Sequence, residues 1–310
     1  APIVISASRA TDIPAFYSKW FFNALERGWT MSINPFNGKT QYVSFQYTRV
    51  IVFWTKNPRP IIPFLHILDE KGIGYYFLYT LNDYQKENIE PGLPSFEYRQ
   101  DTFIELSNLI GKEKVHWRFD PILLTNSLSV QQICERIESI GEKVSQYTSK
   151  LIISFVDIGK YSKVKRSLEY NNLGVRELTL DEKEECAFLI SRLVSKWQSI
   201  NCKLKCYACA QDIDLAKYAI VPNSCIDAKL MLDIFEKDEV LVDFIHEISL
   251  DLVQEKLKDK GQRKSCGCFW SKDIGRYNTC PNFCAYCYAN ASKQTVISNY
   301  NEHNYTSVTI

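Results

Sequence analysis

Short runs of β-branched and aromatic residues alternate with helix-like stretches along almost the whole chain. Such an alternation predicts a mostly parallel sheet with right-handed crossovers. Seven or so strand-helix units indicate an α/β fold of the TIM-like (β/α) barrel type, complete or partial. The predicted strands cover residues 3–6, 50–55, 75–80, 115–119, 151–155, 203–208 and 273–279, and the predicted helices cover 13–27, 60–71, 96–110, 130–144 and 180–199.

Length and charge set further bounds. The 310 residues carry a formal net charge of +1, which provides no whole-molecule attraction for nucleic acid, although a locally basic groove is not excluded. No stretch approaches the ~20 apolar residues that a membrane helix needs. We therefore expect a soluble cytoplasmic protein that does not contact a membrane, with one barrel domain over 1–300, a cysteine-rich part at 202–290 and a tail at 301–310.

The cysteines are unevenly distributed. The chain has 11, and only Cys134 and Cys186 lie outside residues 202–287. In a reducing cytosol such crowding predicts metal or cluster ligation rather than disulfides. The strongest motif is Cys280, Cys284 and Cys287, whose C-x3-C-x2-C spacing brings three thiolates together in one loop. Three ligands leave one iron of a cubane [4Fe-4S] cluster open to another ligand.

This triad resembles the C-x3-C-x-aromatic-C signature of the radical S-adenosylmethionine superfamily, with Tyr286 at the aromatic position. The resemblance implies a [4Fe-4S] cluster that binds S-adenosylmethionine and cleaves it to a 5′-deoxyadenosyl radical, with Tyr286 near the adenine. It also implies a reductase, flavodoxin or ferredoxin as electron donor and a small or unknown substrate. The superfamily motif follows the first barrel strand, so its place near the carboxyl end of this chain implies a circular permutation. On that permutation, residues 273–279 correspond to the superfamily's first strand, Ala285 onward to its first helix, and residues 3–6 to its second strand.

On the permuted arrangement, the turn after the first predicted strand falls where the superfamily grips the cofactor's ammonium group. The resemblance therefore implies that Asp12, with Ser8 and Arg9, contacts the methionine portion. The alternative role for Asp12 is the N-cap of the following helix, since aspartate caps helices routinely.

Over nearly its whole length, the sequence also resembles an uncharacterised bacterial family, domain of unknown function 1848 (DUF1848). The matching runs are ISASR (5–9), TDIP (11–14), FWTKNP (53–58), WRFDPI (117–122), CGC (266–268), DIG (273–275), YNTC (277–280) and YCYAN (286–290). The resemblance to this family implies no particular reaction.

A second cysteine set matches that family's pattern and consists of Cys209, Cys225, Cys266 and Cys268. Four thiolates predict either an auxiliary [4Fe-4S] cluster or a zinc site. Gly267 would let both of its neighbours ligate one centre. Cys202 and Cys206, with Cys134 and Cys186, are interpreted as structural thiols.

Three charged residues at predicted strand ends are candidates for substrate binding or catalysis: Lys56, Arg118 and Asp120. The alternative is that Lys56 or Arg118 pairs with Asp120 or Asp157, because buried charges need partners. The leading functional hypothesis is a radical S-adenosylmethionine enzyme. The rivals are a non-catalytic zinc- or iron-sulfur-binding module, and an electron-transfer protein in which Cys202 or Cys206 supplies a fourth ligand.

Overall fold

The fold is taken from a computed structural model that describes residues 1–35, 37–250 and 265–310. Strands and helices alternate over most of these residues, as the sequence predicts. The strands are β1 (Val4–Ala7), β2 (Trp29–Ile33), β3 (Thr40–Ser44), β4 (Val50–Thr55), β5 (Gly74–Thr80), β6 (Val115–Ile122), β7 (Lys150–Phe155), β8 (Lys205–Cys209), β9 (Ile220–Asn223) and β10 (Lys272–Asp273).

The helices vary from one turn to more than five turns in length. They are α1 (Ile13–Phe16), α2 (Ser18–Arg27), α3 (Leu65–Glu70), α4 (Phe96–Ile110), α5 (Val130–Val144), α6 (Ser162–Tyr170), α7 (Leu180–Gln198), α8 (Ala228–Ile234), α9 (Glu239–Leu250) and α10 (Lys293–Glu302). In the described part of the chain, none of them is long and apolar enough to cross a membrane.

The predicted parallel sheet is present and has the strand order β10-β1-β4-β5-β6-β7-β8-β9. β1 pairs in parallel with β10 and with β4, and β7 pairs in parallel with β6 and with β8. Every residue of β1, β4 and β7 is buried. Strands that are covered on both faces read as continuous apolar runs, which is why the sequence located them well.

A closed barrel is not observed among the described residues, because β10 and β9 end the sheet at its two edges. The sequence pattern predicts alternating elements but contains no signal for closure. Closure depends on the twist and stagger of the whole sheet, which no single strand encodes.

Three predicted elements have the predicted bounds: β4, α4 and α5. Side-chain caps fix the starts of the two helices. The Ser95 hydroxyl accepts the N–H of Tyr98 at 3.3 Å, and Ser129 forms a reciprocal capping box with Gln132. These local signals act within one turn of the chain, so they are readable from sequence.

Other predicted elements were wrong. The helix expected over 13–27 is interrupted at Tyr17 and forms α1 and α2. The strand expected over 273–279 is only the two residues of β10, and the helix expected from Ala285 onward begins at Lys293 as α10. The antiparallel pair of β2 and β3 was not predicted.

The chain divides into two compact units, and the prediction of one domain over 1–300 stays a prediction. The first unit comprises Ala1–Leu78, Ser224–Pro281 and Ser292–Ile310. Its final residues, which were predicted to be a tail at 301–310, form hydrogen bonds with α2 and β2. Trp20 Nε1 donates to the Ser307 carbonyl at 3.0 Å, Met31 N donates to the Val308 carbonyl at 2.8 Å, and Ile310 is buried.

The second unit comprises Tyr79–Asn223 and Asn282–Ala291. Its helices α5 and α7 pack closely, with Gly141 of α5 against the indole of Trp197 of α7. The boundary with the first unit falls inside the cysteine loop, after Pro281, so Cys280 belongs to the first unit and Cys284 and Cys287 belong to the second.

Candidate functional site

In the first unit, the turn after β1 is held by the carboxylate of Asp273. Its Oδ2 accepts the Ser6 hydroxyl at 2.6 Å and the Arg9 backbone N–H at 2.8 Å. Its Oδ1 accepts the Ser8 hydroxyl at 2.8 Å and the Gly275 backbone N–H at 2.9 Å. Two predicted cofactor-binding residues, Ser8 and Arg9, are therefore positioned by an acid on β10. Asp273 was not predicted as a site residue, although it lies in the family-like DIG run.

The Arg9 side chain continues this arrangement. Its guanidinium lies over the ring of Trp54, 5.0 Å from the ring centroid. Arg9 also contributes to lowering the pKa of Cys268, so its positive charge acts on a thiol of the same unit. Arg9 was predicted to contact the methionine portion of a cofactor, and the structure places it beside a sulfur-rich cluster.

Asp12 is buried and has the predicted N-cap role. Its Oδ1 accepts the N–H of Ala15 in α1 at 3.1 Å, and its Oδ2 accepts the backbone N–H of Lys56 at 2.8 Å. The carboxylate thus joins the start of α1 to the residue that follows β4. The other role expected of Asp12, contact with the methionine portion of S-adenosylmethionine, stays a prediction.

Three of the four cysteines in the second predicted set converge in the first unit. Cys225, Cys266 and Cys268 are 5%, 7% and 3% exposed. The Cys268 sulfur forms hydrogen bonds with the thiols of Cys225 and Cys266, and these bonds lower its pKa well below the ordinary thiol value. Burial opposes that shift, while the Ile226 N–H and the Arg9 charge reinforce it. The arrangement favours a thiolate, which is the form that binds metal.

The backbone around these cysteines is tightly fixed. The Tyr76 hydroxyl donates to the Cys225 carbonyl at 2.8 Å, and the Ser224 hydroxyl donates to the Gly267 carbonyl at 2.8 Å. A Cβ on Gly267 would lie 2.7 Å from the Ser224 oxygen. A side chain at this position would force the Ser224 hydroxyl to rotate and to give up its hydrogen bond to the residue 267 carbonyl.

The fourth predicted ligand, Cys209, lies in the second unit at the end of β8, where it is opposite Asn223 of β9. Its sulfur is half-buried. The sequence prediction that it completes a four-cysteine site stays a prediction.

The three cysteines of the C-x3-C-x2-C motif are all half-buried. In the first unit, the Tyr17 hydroxyl donates to the carbonyl of Thr279, directly before Cys280, at 2.5 Å. In the second unit, the Cys287 N–H donates to the Cys284 carbonyl at 3.0 Å and closes a turn between them. Both cysteines lie in a loop, as the sequence predicts, but the next helix begins at Lys293 rather than at Ala285.

The loop that follows β5 holds the second-unit part of the motif. The Ala285 N–H donates to the Ile89 carbonyl at 2.9 Å, and the Gly92 N–H donates to the Asn282 carbonyl at 3.1 Å. Backbone bonds of this kind depend on conformation and not on side-chain type. For that reason the sequence contains no signal for this support.

Tyr286 is half-buried, and its hydroxyl donates to the carboxylate of Glu90. Asn82 Nδ2 donates to the same Glu90 oxygen at 3.2 Å. Burial, then the charges of Glu90 and Cys284, raise the pKa of Tyr286 well above its usual value, so the phenol stays protonated. Its predicted role near an adenine stays a prediction, and the structure adds that Glu90 fixes the ring. Sequence reasoning missed Glu90 and Asn82.

Arg118 and Asp120, two predicted catalytic residues, form an ion pair with each other. The Ser154 hydroxyl donates to the second Asp120 oxygen, and Asn82 Oδ1 accepts the Asp120 backbone N–H at 3.0 Å. The alternative that Arg118 pairs with Asp120 is thus confirmed. The third predicted catalytic residue, Lys56, lies in the first unit, and its backbone N–H binds Asp12.

The remaining cysteines lie elsewhere. Cys134 and Cys186 are buried with their sulfurs 3.8 Å apart, and Cys206 is buried, as expected of structural thiols. Cys202 is exposed, so for it that interpretation was wrong.

The thiols of Cys225, Cys266 and Cys268 are soft donors of the kind that bind an iron-sulfur cluster or zinc, and the Ile226 N–H lies near them. As arranged, the residues described contain no group of three or more His, Cys, Asp or Glu side chains placed around one metal position.

Searches of curated proteins and of solved structures find no match to this chain. A family model does match. It is described as a domain of unknown function, DUF1848, and covers residues 4–289, so the chain belongs to the DUF1848 family.

Proposed function

We propose that this protein is a radical S-adenosylmethionine enzyme whose cofactor cluster is held by Cys280, Cys284 and Cys287. The observation that carries the proposal is the spacing of these cysteines with Tyr286 directly before the last one. When bound, the cluster would supply the electron that cleaves S-adenosylmethionine to a 5′-deoxyadenosyl radical. The protein would supply binding, orientation and the exclusion of side reactions.

The surroundings of Tyr286 support this assignment. The ring is half-buried, and its hydroxyl donates to the Glu90 carboxylate, which fixes its orientation in the loop. Two backbone hydrogen bonds, from the Ala285 N–H to the Ile89 carbonyl and from the Gly92 N–H to the Asn282 carbonyl, hold the chain on either side of Cys284. Cys284 and Cys287 are thereby held in a defined turn, as a cluster ligand loop requires.

The permuted order is part of the proposal. β10 directly precedes the cysteine loop and would take the place of the superfamily's first strand, while β1 would take the place of the second. The parallel pairing of Ile5 with Lys272 and of Ser6 with Asp273 supports it, because consecutive strands of such a fold are neighbours. Ser8, Arg9 and Asp12 would then bind the methionine portion, with Asp273 positioning Ser8 and Arg9.

An auxiliary centre is the second part of the proposal. Cys225, Cys266 and Cys268 would provide three of its ligands, with Cys209 as the fourth ligand predicted from sequence. Their burial and the thiolate-favouring environment of Cys268 support it. A reductase, flavodoxin or ferredoxin would deliver the electron.

The test is anaerobic reconstitution of the full chain with iron and sulfide, followed by electron paramagnetic resonance and by assay of 5′-deoxyadenosine after reduction with dithionite. Wild-type protein should give a reducible cubane signal that changes on addition of S-adenosylmethionine. Cys284→Ala should lose about four irons and all 5′-deoxyadenosine. Cys202→Ala, which removes an exposed cysteine outside both sets, is the matched control and should retain both.

Retention of the cluster and of 5′-deoxyadenosine formation in Cys284→Ala would refute the assignment. The second candidate is a zinc-binding module, favoured by the converging thiols of Cys225, Cys266 and Cys268. Stoichiometric zinc in colourless wild-type protein, lost in Cys268→Ala and unaffected in Cys284→Ala, would select that candidate.

A further inference from the structure

A tyrosine that the proposed function does not use supports the chain next to Cys280. Tyr17 lies at the break between α1 and α2 and is 1% exposed. Its hydroxyl donates to the Thr279 carbonyl at 2.5 Å. The carbonyl of Thr279 and the backbone nitrogen of Cys280 belong to one planar peptide group. A hydrogen bond that fixes this carbonyl therefore fixes the direction in which the backbone of Cys280 begins.

The position of the Tyr17 hydroxyl is itself well determined. The Tyr17 backbone N–H donates to the Ile13 carbonyl at 2.9 Å. Its ring meets the ring of His303 edge to face, with the centroids 4.8 Å apart, and that of Tyr300 with the centroids 6.1 Å apart. Aromatic pairs favour such edge-to-face contacts. The hydroxyl therefore reaches Thr279 from a ring that is held both by its own backbone and by residues at the end of α10.

The phenol of Tyr17 stays protonated, so it remains a donor. Burial, then the charge of Cys280, raise its pKa well above its usual value, and the hydrogen bond with Thr279 acts in the opposite direction. Because the charge of Cys280 acts on this hydroxyl, the phenol and the sulfur lie in the same part of the first unit.

Two other carbonyls of the same segment are also held by side chains. The Thr279 hydroxyl donates to the Arg276 carbonyl at 2.6 Å, and Asn299 Nδ2 on α10 donates to the Asn278 carbonyl at 2.8 Å. These contacts fix the chain that leads to the cysteine loop. Tyr17 acts on the last peptide group of that chain, directly before the sulfur ligand.

We propose that Tyr17 is a positioning residue for Cys280, and that its hydroxyl holds the peptide group between Thr279 and Cys280 so that the sulfur is presented to the cluster. This inference rests on the proposed function, in which Cys280 is a cluster ligand. It adds a residue that the cysteine motif does not contain. Ligand side chains must be held within about 0.5 Å of their working geometry, and supporting hydrogen bonds provide that precision.

The first test uses metal-free, reduced protein, so it does not depend on the cluster. Iodoacetamide labelling of the full chain, followed by peptide mass spectrometry, gives the alkylation rate of each cysteine. Tyr17→Phe removes the hydroxyl and keeps the ring. It should raise the rate at half-buried Cys280 about three- to tenfold, the factor that corresponds to one lost hydrogen bond. The rates at Cys284 and Cys287 should stay unchanged, because backbone hydrogen bonds within the second unit hold their turn.

The second test uses protein reconstituted anaerobically with iron and sulfide. The half-life of the cluster after exposure to air is followed through the loss of its visible absorbance and through iron content. Tyr17→Phe should shorten this half-life at least about threefold, because a less firmly held sulfur leaves the cluster more often.

Tyr79→Phe is the matched control for both tests. Tyr79 is buried in the second unit, and its hydroxyl donates to the Arg99 carbonyl at 2.7 Å. The substitution therefore removes the same kind of hydrogen bond from a buried carbonyl that does not adjoin a predicted ligand. It should leave the alkylation rate of Cys280 and the half-life of the cluster at their wild-type values. Circular dichroism checks that both variants are folded.

Two results would overturn the inference. One is a wild-type alkylation rate at Cys280 in folded Tyr17→Phe. The other is an acceleration that Cys284 and Cys287 share or that Tyr79→Phe reproduces, because the effect would then be a general loosening of the protein. Either result, in protein whose wild type holds a cluster and forms 5′-deoxyadenosine, leaves the proposed function in place. Wild-type protein that binds no cluster refutes the proposed function, and with it the role of Tyr17 in presenting a ligand.

Discussion

Replacing Asp273 with asparagine tests whether one carboxylate holds the turn after β1. The carboxylate accepts four hydrogen bonds, two on each oxygen, from Ser6, Ser8 and the N–H groups of Arg9 and Gly275. An asparagine keeps one acceptor oxygen and puts an NH2 group in the place of the other. If the asparagine oxygen keeps the hydrogen bonds from Ser8 and Gly275, its NH2 group faces Ser6 and the Arg9 N–H. The Ser6 hydroxyl can rotate and accept a hydrogen bond from that NH2 group, but the Arg9 N–H then faces another donor.

The expected loss of stability follows from this count. One part-buried donor loses its acceptor, which costs about 1–3 kcal/mol. The other bonds lose their charge assistance, which roughly doubles the strength of such bonds. We therefore expect Asp273→Asn to lower the free energy of unfolding by about 2–4 kcal/mol. Urea denaturation, followed by far-ultraviolet circular dichroism, measures this value through the midpoint at constant slope.

Asp101→Asn is the matched control, since Asp101 is exposed on α4 and its carboxylate has no hydrogen bond in the described structure. It should change stability by less than about 0.5 kcal/mol. The reasoning is refuted if Asp273→Asn is as stable as that control. A large loss that Asp273→Ala does not share would also contradict it, because alanine leaves every donor without its acceptor.

Two further substitutions probe the second unit. Gly141→Ala should destabilise the protein by about 1–3 kcal/mol, because the added Cβ would lie 2.0 Å from a Trp197 ring carbon. This cost should exceed the gain from the better helix propensity of alanine. The thermal unfolding midpoint measures the change, and a rise in that midpoint would contradict the packing of Gly141 against Trp197. Arg136 donates to both oxygens of Glu87 at 2.7 and 2.8 Å. Burial raises the pKa of Glu87, but these hydrogen bonds and the Arg136 charge outweigh burial and hold that pKa below its usual value. A lowered folded-state pKa contributes stability above the unfolded value, and this is lost as the pH falls through the folded value. Glu87→Gln should therefore cost about 1–3 kcal/mol at pH 7, and its difference from wild type should shrink below about pH 4 in urea denaturation; a difference independent of pH would argue against the ion pair.

The sequence by itself determined the elements whose signals are local. β4, α4 and α5 were predicted with their correct bounds, because burial of β4 on both faces gives a continuous apolar run and because Ser95 and Ser129 cap helices through neighbouring residues. The cysteine motif and the family membership are also linear features. The convergence of Cys225, Cys266 and Cys268 was predicted from the family's cysteine pattern.

Only the tertiary structure decided the partners of these residues. Asp273 meets Ser6 and Ser8 across more than 260 positions, and Glu90 meets Tyr286 across 196 positions. A carboxylate's neighbours depend on which distant segments the sheet brings together, and residue type alone does not specify them. Whether Asp12 caps a helix was settled in the same way, because its role depends on which groups fill the space around its buried carboxylate.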